Sequence, residues 1–180
     1  AKEFSINKFY NYLKSQQIKS SKDALYKYLN YLEDAFFVFR LNKFSLSYKK
    51  AEQSLPKVYF IDNGMLTNNK IDDKGRLLEN LVFLELIRRE NDVSYYQTPQ
   101  KEEVDFLIKK GKKVTQLIQV CYDFSNFMTK DREIKSLLKA SEEFNCGNIL
   151  ILMNSHEEEL KLHGKKIVIK PVWKWLLEEK

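Results

Sequence analysis

Four side chains at positions suited to a cation or catalytic site stand out. Asp105 lies among apolar residues in EVDFLIKK, and Gln119 and Cys121 follow in VTQLIQVCYD. Glu79 lies in RLLENLVFLELIRRE, where its i+3, i+4 and i+7 neighbours are Val82, Phe83 and Leu86. A carboxylate on an apolar stripe costs free energy unless it is paired or holds a cation. Two carboxylates brought together supply the hard oxygen donors that Mg²⁺ takes. The plainer reading is that Glu79 reaches over the edge of its stripe to water or to a lysine. Cys121 reads as a nucleophile or as a buried structural thiol. The two histidines, His156 and His163, lie far along the chain in what reads as a loop, which favours the thiol.

These groups matter together only if the elements that carry them converge. Asp72, Asp73 and Gly75 lead into the Glu79 segment, which is apolar on most sides and reads as a buried helix. Three strands follow at residues 94–98, 103–110 and 114–123, the last two joined by a turn around Gly111. Strand alternation puts Val104, Phe106 and Ile108 on one face and Asp105 and Leu107 on the other. Leu117, Gln119 and Cys121 share a face, and Glu103 shares that of Asp105. Thr129 then caps a helix with Ile134, Leu137 and Leu138 inward. NILILMN is a strand buried on both faces, KKIVIK a last strand, and PVWKWLLEE a last helix opening on Pro171. The core order is helix, three strands, helix, strand.

Residues 1–64 read as a separate domain ahead of 65–180, with Asn63-Gly64 as punctuation. Ser5 caps a helix with Ile6, Phe9, Tyr10 and Leu13 on one stripe. Ser20 with Asp23 signals a second helix burying Leu25, Leu29, Leu32 and Phe36. AFFVFRL and KVYFID are strands, joined by a loop carrying Lys43, Lys49 and Lys50. Two helices and a hairpin with a basic tip make a winged helix-turn-helix. Lys22, Tyr26, Lys27 and Asn30 on the second helix suit groove reading of double-stranded DNA, with lysines on phosphates and Asn or Tyr on bases. The alternative is a domain that only packs against a neighbour or mediates assembly.

Charge favours the DNA reading. Residues 1–60 hold eleven Lys/Arg against five acids, while the remainder holds twenty of each. The whole excess of +6 therefore lies in the first third, which points to a polyanionic partner. The chain is 43% hydrophobic and 31% charged, as globular domains are. No apolar run is long enough to cross a bilayer, and no secretory signal opens the chain, so no membrane partner is expected. Cys121 and Cys146 form no CxxC pair, and with two histidines a zinc cage is not expected. A reduced, cytoplasmic protein follows. No GxxxxGK[ST] occurs, so this chain is not expected to hold ATP in a phosphate loop. It opens without Met and reads as a fragment of a longer protein.

The core order and the placement of Glu79 and Asp105 resemble the PD-(D/E)xK nuclease superfamily. More narrowly, KDALYKYLNYLEDAFFVF, KVYFIDNGM, GRLLENLVFLEL, EEVDFLI, IQVCYD and TKDREI resemble the C-terminal half of a family of prokaryotic AAA+-type ATPases. The resemblance implies an α/β fold, a restriction-endonuclease-like mixed sheet flanked by helices behind a winged helix, with an ATPase module upstream. It also implies a centre in which a helix Glu, a strand Asp and a paired E-x-K surround Mg²⁺. Glu79 and Asp105 fall on the first two positions, and Gln119 and Cys121 on the second acid and the lysine. Gln119 lacks the charge and Cys121 the ammonium that hydrolysis uses. Lys130 or Arg132 could supply the missing cation and Glu103 the missing charge. The expectation is therefore a DNA-binding module with a degenerate, inactive nuclease-like domain. A Mg²⁺-dependent endonuclease and a regulatory protein-interaction module are the alternatives. No cofactor is expected of this chain itself. Mg²⁺, if held, would lie on Glu79 and Asp105, and ATP would enter through the upstream module.

Overall fold

The computed structural model describes residues 1–67, 73–98, 100–123 and 127–178, apart from the side chains of residues 48, 50 and 127–129. Asp72 lies outside them. Two amphipathic helices, α1 (Ile6–Ser15) and α2 (Lys22–Asp34), open the chain. The Ser5 and Ser21 hydroxyls cap them, accepting from the Lys8 and Ala24 amides. The second cap is thus Ser21, one residue later than the capping pattern predicts. Ile6, Leu25, Leu29 and Val38 form a small core. Leu32 and Phe36, expected inside, are 41% and 68% exposed. Phe36 is displaced because α2 stops at Asp34 and the residue follows in a left-handed conformation with φ 54°, while Leu32, still within α2, lies at the margin of the small core.

Next come β1 (Val38–Leu41) and β2 (Lys57–Phe60), paired antiparallel. Their connection is not the free basic loop expected. Residues 42–44 lie along the open edge of β3 (Asp92–Gln97), with the Tyr95 amide donating to the Asn42 carbonyl and the Phe44 amide to the Tyr95 carbonyl. A short helix, α3 (Tyr48–Glu52), follows. Covering that edge with backbone removes a row of unpaired donors and acceptors.

The large sheet has the order β3–β4–β5–β6–β8–β7. Its further strands are β4 (Glu103–Lys110), β5 (Lys113–Cys121), β6 (Ile149–Met153), β7 (Glu158–Leu162) and β8 (Lys165–Pro171). β5, β6 and β8 run parallel, and the other neighbouring pairs run antiparallel. The β4–β5 turn uses Gly111 at φ 59°, a left-handed position that favours glycine. β7 pairs with β8 where a loop was expected; its EELKL is a charged edge strand whose one apolar row, Leu160 and Leu162, is only two residues long.

Helix α6 (Phe127–Glu143) covers one face of the sheet. It packs Ile134 and Leu137 against Leu107, Leu117, Ile149 and Ile151. It begins at Phe127, so Thr129 lies in its first turn rather than ahead of it. The other face is covered by α5 (Lys74–Arg88), α7 (Val172–Leu176) and the β1–β2 ribbon. There Val82, Phe83 and Leu86 meet Phe106, Ile118, Leu150 and Leu152. The expected alternation holds for Phe106, Leu107 and Ile108 but fails just before them. Val104 joins the α6-side core with Leu107, and Asp105 turns instead to Lys57 of the ribbon, because a β-bulge sets three steps of β4, Val104 to Leu107, against two of β3, Ser94 to Tyr96. The remaining helix, α4 (Asn63–Thr67), contains the domain boundary expected at residue 64. Leu41 and Tyr59 of the ribbon lie in the same core as α5, so the two halves share apolar interior.

Candidate functional site

Helix α5 begins at Asp73, whose carboxylate caps the Arg76 amide. One turn later Asn80 grips the end of β2: its carbonyl oxygen accepts from the Phe60 amide at 2.9 Å, and its amide donates to the Phe60 carbonyl at 3.0 Å. This register sets Glu79 against the inward face of β2, where alternation places Lys57 and Tyr59. The Tyr59 hydroxyl donates to Glu79 Oε1 at 2.7 Å. Lys57 Nζ lies 3.2 Å from Glu79 Oε1, 3.3 Å from Asp105 Oδ1 and 2.7 Å from Glu103 Oε1. Lys57 is 1% exposed, and its ammonium also faces the Tyr95 ring at 5.5 Å.

Asp105 sits where β4 and β5 part. Its side chain and that of Gln119 replace the missing rungs of the ladder. The Asp105 amide donates to Gln119 Oε1 at 3.1 Å, and the Val120 amide donates to Asp105 Oδ2 at 3.0 Å. The Gln119 Nε2 group donates to Glu133 of α6. The Cys121 thiol donates to the Asp123 carbonyl at 2.8 Å. In front of these groups opens a cleft of about 570 Å³, lined by six carboxylates but by three cationic side chains, Arg76, Lys101 and Arg132.

One ammonium thus faces three acids. Burial alone would lower the Lys57 pKa, but Asp105, Glu79 and Glu103 outweigh it and hold the lysine charged well above its ordinary range. Burial would raise Glu79, yet Lys57 foremost, with the Tyr59 hydroxyl, holds it below its ordinary value. Asp105 goes the other way. Burial and the Glu79 charge, offset in part by Lys57 and the Val120 amide, push it up to about 7. Burial and Glu79 likewise raise Tyr59, which keeps its proton as a donor. Cys121 is half-buried rather than fully buried as expected. Burial, reinforced by Glu133, pushes its thiol up to about 11, which leaves it a poor nucleophile.

The structure therefore brings Glu79, Asp105, Glu103 and Gln119 together, and gives Glu79 the lysine partner that its apolar stripe allowed. Arg132 lines the cleft but pairs with Glu133 at 2.7 Å, and Lys130 lies 3.6 Å from Glu158. Sequence reasoning missed Lys57, Tyr59 and Glu133. The signal for the first two was the alternation of KVYF, which puts a lysine on the same face as the inward tyrosine. Glu133 precedes inward Ile134 on α6 and so lies on the flank of the buried stripe.

The donor set does not suit Mg²⁺. The point shared by Glu79 and Asp105 is taken by an ammonium with all three N–H groups directed at carboxylates. Gln119 has its oxygen engaged by a backbone amide, and Cys121 offers a neutral thiol in place of a cation. Among the described residues, no group of three or more His, Cys, Asp or Glu side chains is arranged to hold a metal ion.

The expected DNA-contacting residues are dispersed. Lys22, Tyr26, Lys27 and Asn30 are exposed on α2, which also carries Asp23, Glu33 and Asp34. Lys22 Nζ lies over the Tyr10 ring at 5.7 Å, and the Asn30 carbonyl oxygen accepts from Arg40 at 3.3 Å. Lys43 is turned to the large sheet, donating to Gln97 Oε1 at 3.2 Å. Lys49 is exposed on α3, and the Lys50 side chain lies outside the described residues. A different basic grouping emerges at the α1–α2 turn. There Lys14 and Lys19 flank a shallow depression with Tyr10, beside Lys22. Among the described residues, no helix is long and apolar enough to cross a membrane.

An uncharacterized protein of Methanocaldococcus jannaschii is 42% identical over 98% of this chain, and one of Haemophilus influenzae is 27% identical over 96%. The chain spans 41% of the length of each. A solved assembly of Thermococcus gammatolerans McrB AAA+ hexamers with bound McrC aligns with 55% of this chain and 28% of its own. That alignment has 15% identity and a TM-score of 0.38, too loose to define a common fold. Residues 2–74 match a domain of unknown function (DUF8612). Residues 74–175, which hold Glu79, Glu103, Asp105, Gln119 and the whole large sheet, match the domain of unknown function DUF4143, and to that family the chain belongs.

Proposed function

We propose that this chain is a DNA-docking, non-hydrolysing module of a longer AAA+-type ATPase. The observation that carries the reading is the separation of charge between its two halves. Lys14, Lys19 and Lys22 gather at the exposed α1–α2 turn, next to the positive end of the α2 dipole. The carboxylates gather in the cleft of the large sheet. A DNA backbone is drawn to the first and repelled by the second. The phosphates thus lie along the turn, while the nuclease-like sheet serves as a rigid platform. Its Glu79–Asp105 pair is neutralised from inside by Lys57 and takes no scissile phosphate. The rest of the parent protein supplies ATP hydrolysis.

Duplex binding, followed by gel shift across salt concentrations, tests this. Neutralising three phosphates gives a log–log slope near −3, since each contributes about −0.9. Lys14→Ala, Lys19→Ala and Lys22→Ala together should flatten it. A shift without salt dependence, or one unchanged by the triple variant, sinks the docking surface. Plasmid nicking with Mg²⁺ or Mn²⁺ that disappears in Asp105→Ala sinks the non-hydrolysing half.

A second reading, a protein-interaction module, draws on Tyr28, Tyr31 and Phe36 at and just beyond the C-terminal part of α2, which are 59%, 63% and 68% exposed. It predicts no DNA shift, and binding of the ATPase portion that Tyr31→Ala weakens.

A further inference from the structure

We propose that Lys57 is a resident cation standing where a divalent ion would bridge Glu79 and Asp105, so that the cluster accepts the docked β1–β2 ribbon or a metal ion but never both. The inference deepens the non-hydrolysing reading of the same cleft. Its readout is ion binding, so its failure and the failure of DNA docking are separable.

Three observations support it. First, the ammonium has three donors, and Glu79, Glu103 and Asp105 each stand within reach of one of them, at 3.2, 2.7 and 3.3 Å. Second, the anions and the cation come from different parts of the chain. Glu79 belongs to α5 and the other two acids to β4, whereas Lys57 is delivered from outside that frame by β2. Third, the Tyr95 ring behind the ammonium at 5.5 Å suits a compact organic cation and offers no oxygen ligand from its face. The carboxylate spacing agrees. A Mg²⁺ ion draws oxygens to about 2.1 Å and Ca²⁺ to about 2.4 Å, closer than any oxygen lies to Nζ here. With the lysine removed, Glu79 and Asp105 can close on a metal, and the open cleft in front admits the waters that complete its shell. With the lysine present, a metal would have to displace it together with β2, the Tyr59 hydrogen bond to Glu79 and the Asn80 grip on Phe60.

The test uses the full chain, stripped with a chelator, and Mn²⁺ as probe. Thermal unfolding is followed by circular dichroism, and free Mn²⁺ by electron paramagnetic resonance. The wild-type protein should show no tight Mn²⁺ site and an unchanged Tm. Lys57→Ala should melt lower in chelator and take up one Mn²⁺. With the ion at about a hundred times its Kd, its Tm should rise by about 7 °C. Lys57→Ala/Asp105→Asn should lose both the uptake and the rise. If Lys57→Ala fails to fold without metal, Mn²⁺ must restore its folded spectrum. Mn²⁺ binding by the wild type that Asp105→Asn removes overturns the proposal. So does a Lys57→Ala protein that neither binds nor is rescued.

Discussion

A lysine enclosed by three carboxylates makes the two directions of mutation unequal. Lys57→Met leaves Glu79 and Asp105 buried with no ammonium between them, which costs about 3–5 kcal/mol for a buried pair broken on one side. Asp105→Asn removes one of three anions that share a single cation and should be milder. The two acids also titrate with opposite sign. Asp105 is pushed up to about 7 in the fold, mainly by burial and by Glu79. Its contribution is therefore complete below its unfolded pKa of about 3.9 and is lost as pH rises through 7. Glu79 is held low, so its contribution is present above its unfolded pKa of about 4.3 and is lost on acidification. Urea unfolding from pH 4 to 8 should show stability sagging toward pH 8, and Asp105→Asn should flatten that limb. A sag that survives in the variant would assign the titration elsewhere. The same cluster bears on attempts to install metal-dependent cleavage. Gln119→Glu with Cys121→Lys supplies an acid and a lysine of the kind such cleavage uses, yet Lys57 still fills the shared point. No nicking of plasmid by Mn²⁺ is expected from that double variant.

At the scale of elements, α5 is the part that aims the site, and it is fixed at its middle and at its end. Asn80 ties its midpoint to β2. At its end Arg89 bonds Glu85 at 2.6 Å, donates to the Trp175 carbonyl at 2.8 Å and lies over the Trp175 ring at 4.6 Å. Arg89→Ala loses these links at a half-buried junction and should cost about 2 kcal/mol. Trp175 emission should shift to the red as α7 loosens, and an unchanged spectrum would show that α7 docks without the arginine. The same elements show what the sequence can disclose. α5, β4, β5 and β6 were legible because apolar periodicity over a long or doubly buried segment has few other meanings. The capping serines disclosed α1 and α2 to within a residue. β7 was not legible, since Leu160 and Leu162 alone, set among Glu158, Glu159 and Lys161, make too short an apolar row to mark a strand. The route of residues 42–44 along β3 was hidden too, because backbone hydrogen bonds to a distant strand leave no mark on side-chain type. Glu79 and Asp105 could be singled out as acids in apolar surroundings. Lys57 could not, because one lysine among ten in the first sixty residues looks like surface until the ribbon is placed on the sheet.

The whole molecule joins parts that the sequence families divide. The two family matches meet at residue 74, yet the packing does not separate there. Tyr59 of the first part stacks on Phe83 of the second with ring centroids 4.1 Å apart, inside a core shared by both. The Lys57 cluster and the Asn42–Phe44 strip on β3 add two further joints. The small core of Ile6, Leu25, Leu29 and Val38 is too slight to hold the first part alone, as single cores of a few residues supply little net stability. Unfolding in urea should therefore be one transition, with far-ultraviolet and near-ultraviolet circular dichroism coincident. Tyr59→Ala tests the coupling at its centre. It deletes a fully buried ring, at a cost of about 3–5 kcal/mol, together with a hydrogen bond to Glu79. Because that loss falls on the junction, the first part should melt ahead of the large sheet in this variant, and the two probes should separate. If they stay coincident at a lower midpoint, the junction does not depend on Tyr59, and the strip along β3 carries the coupling instead. If they are already separate in the wild type, the two families are two folding units that merely touch.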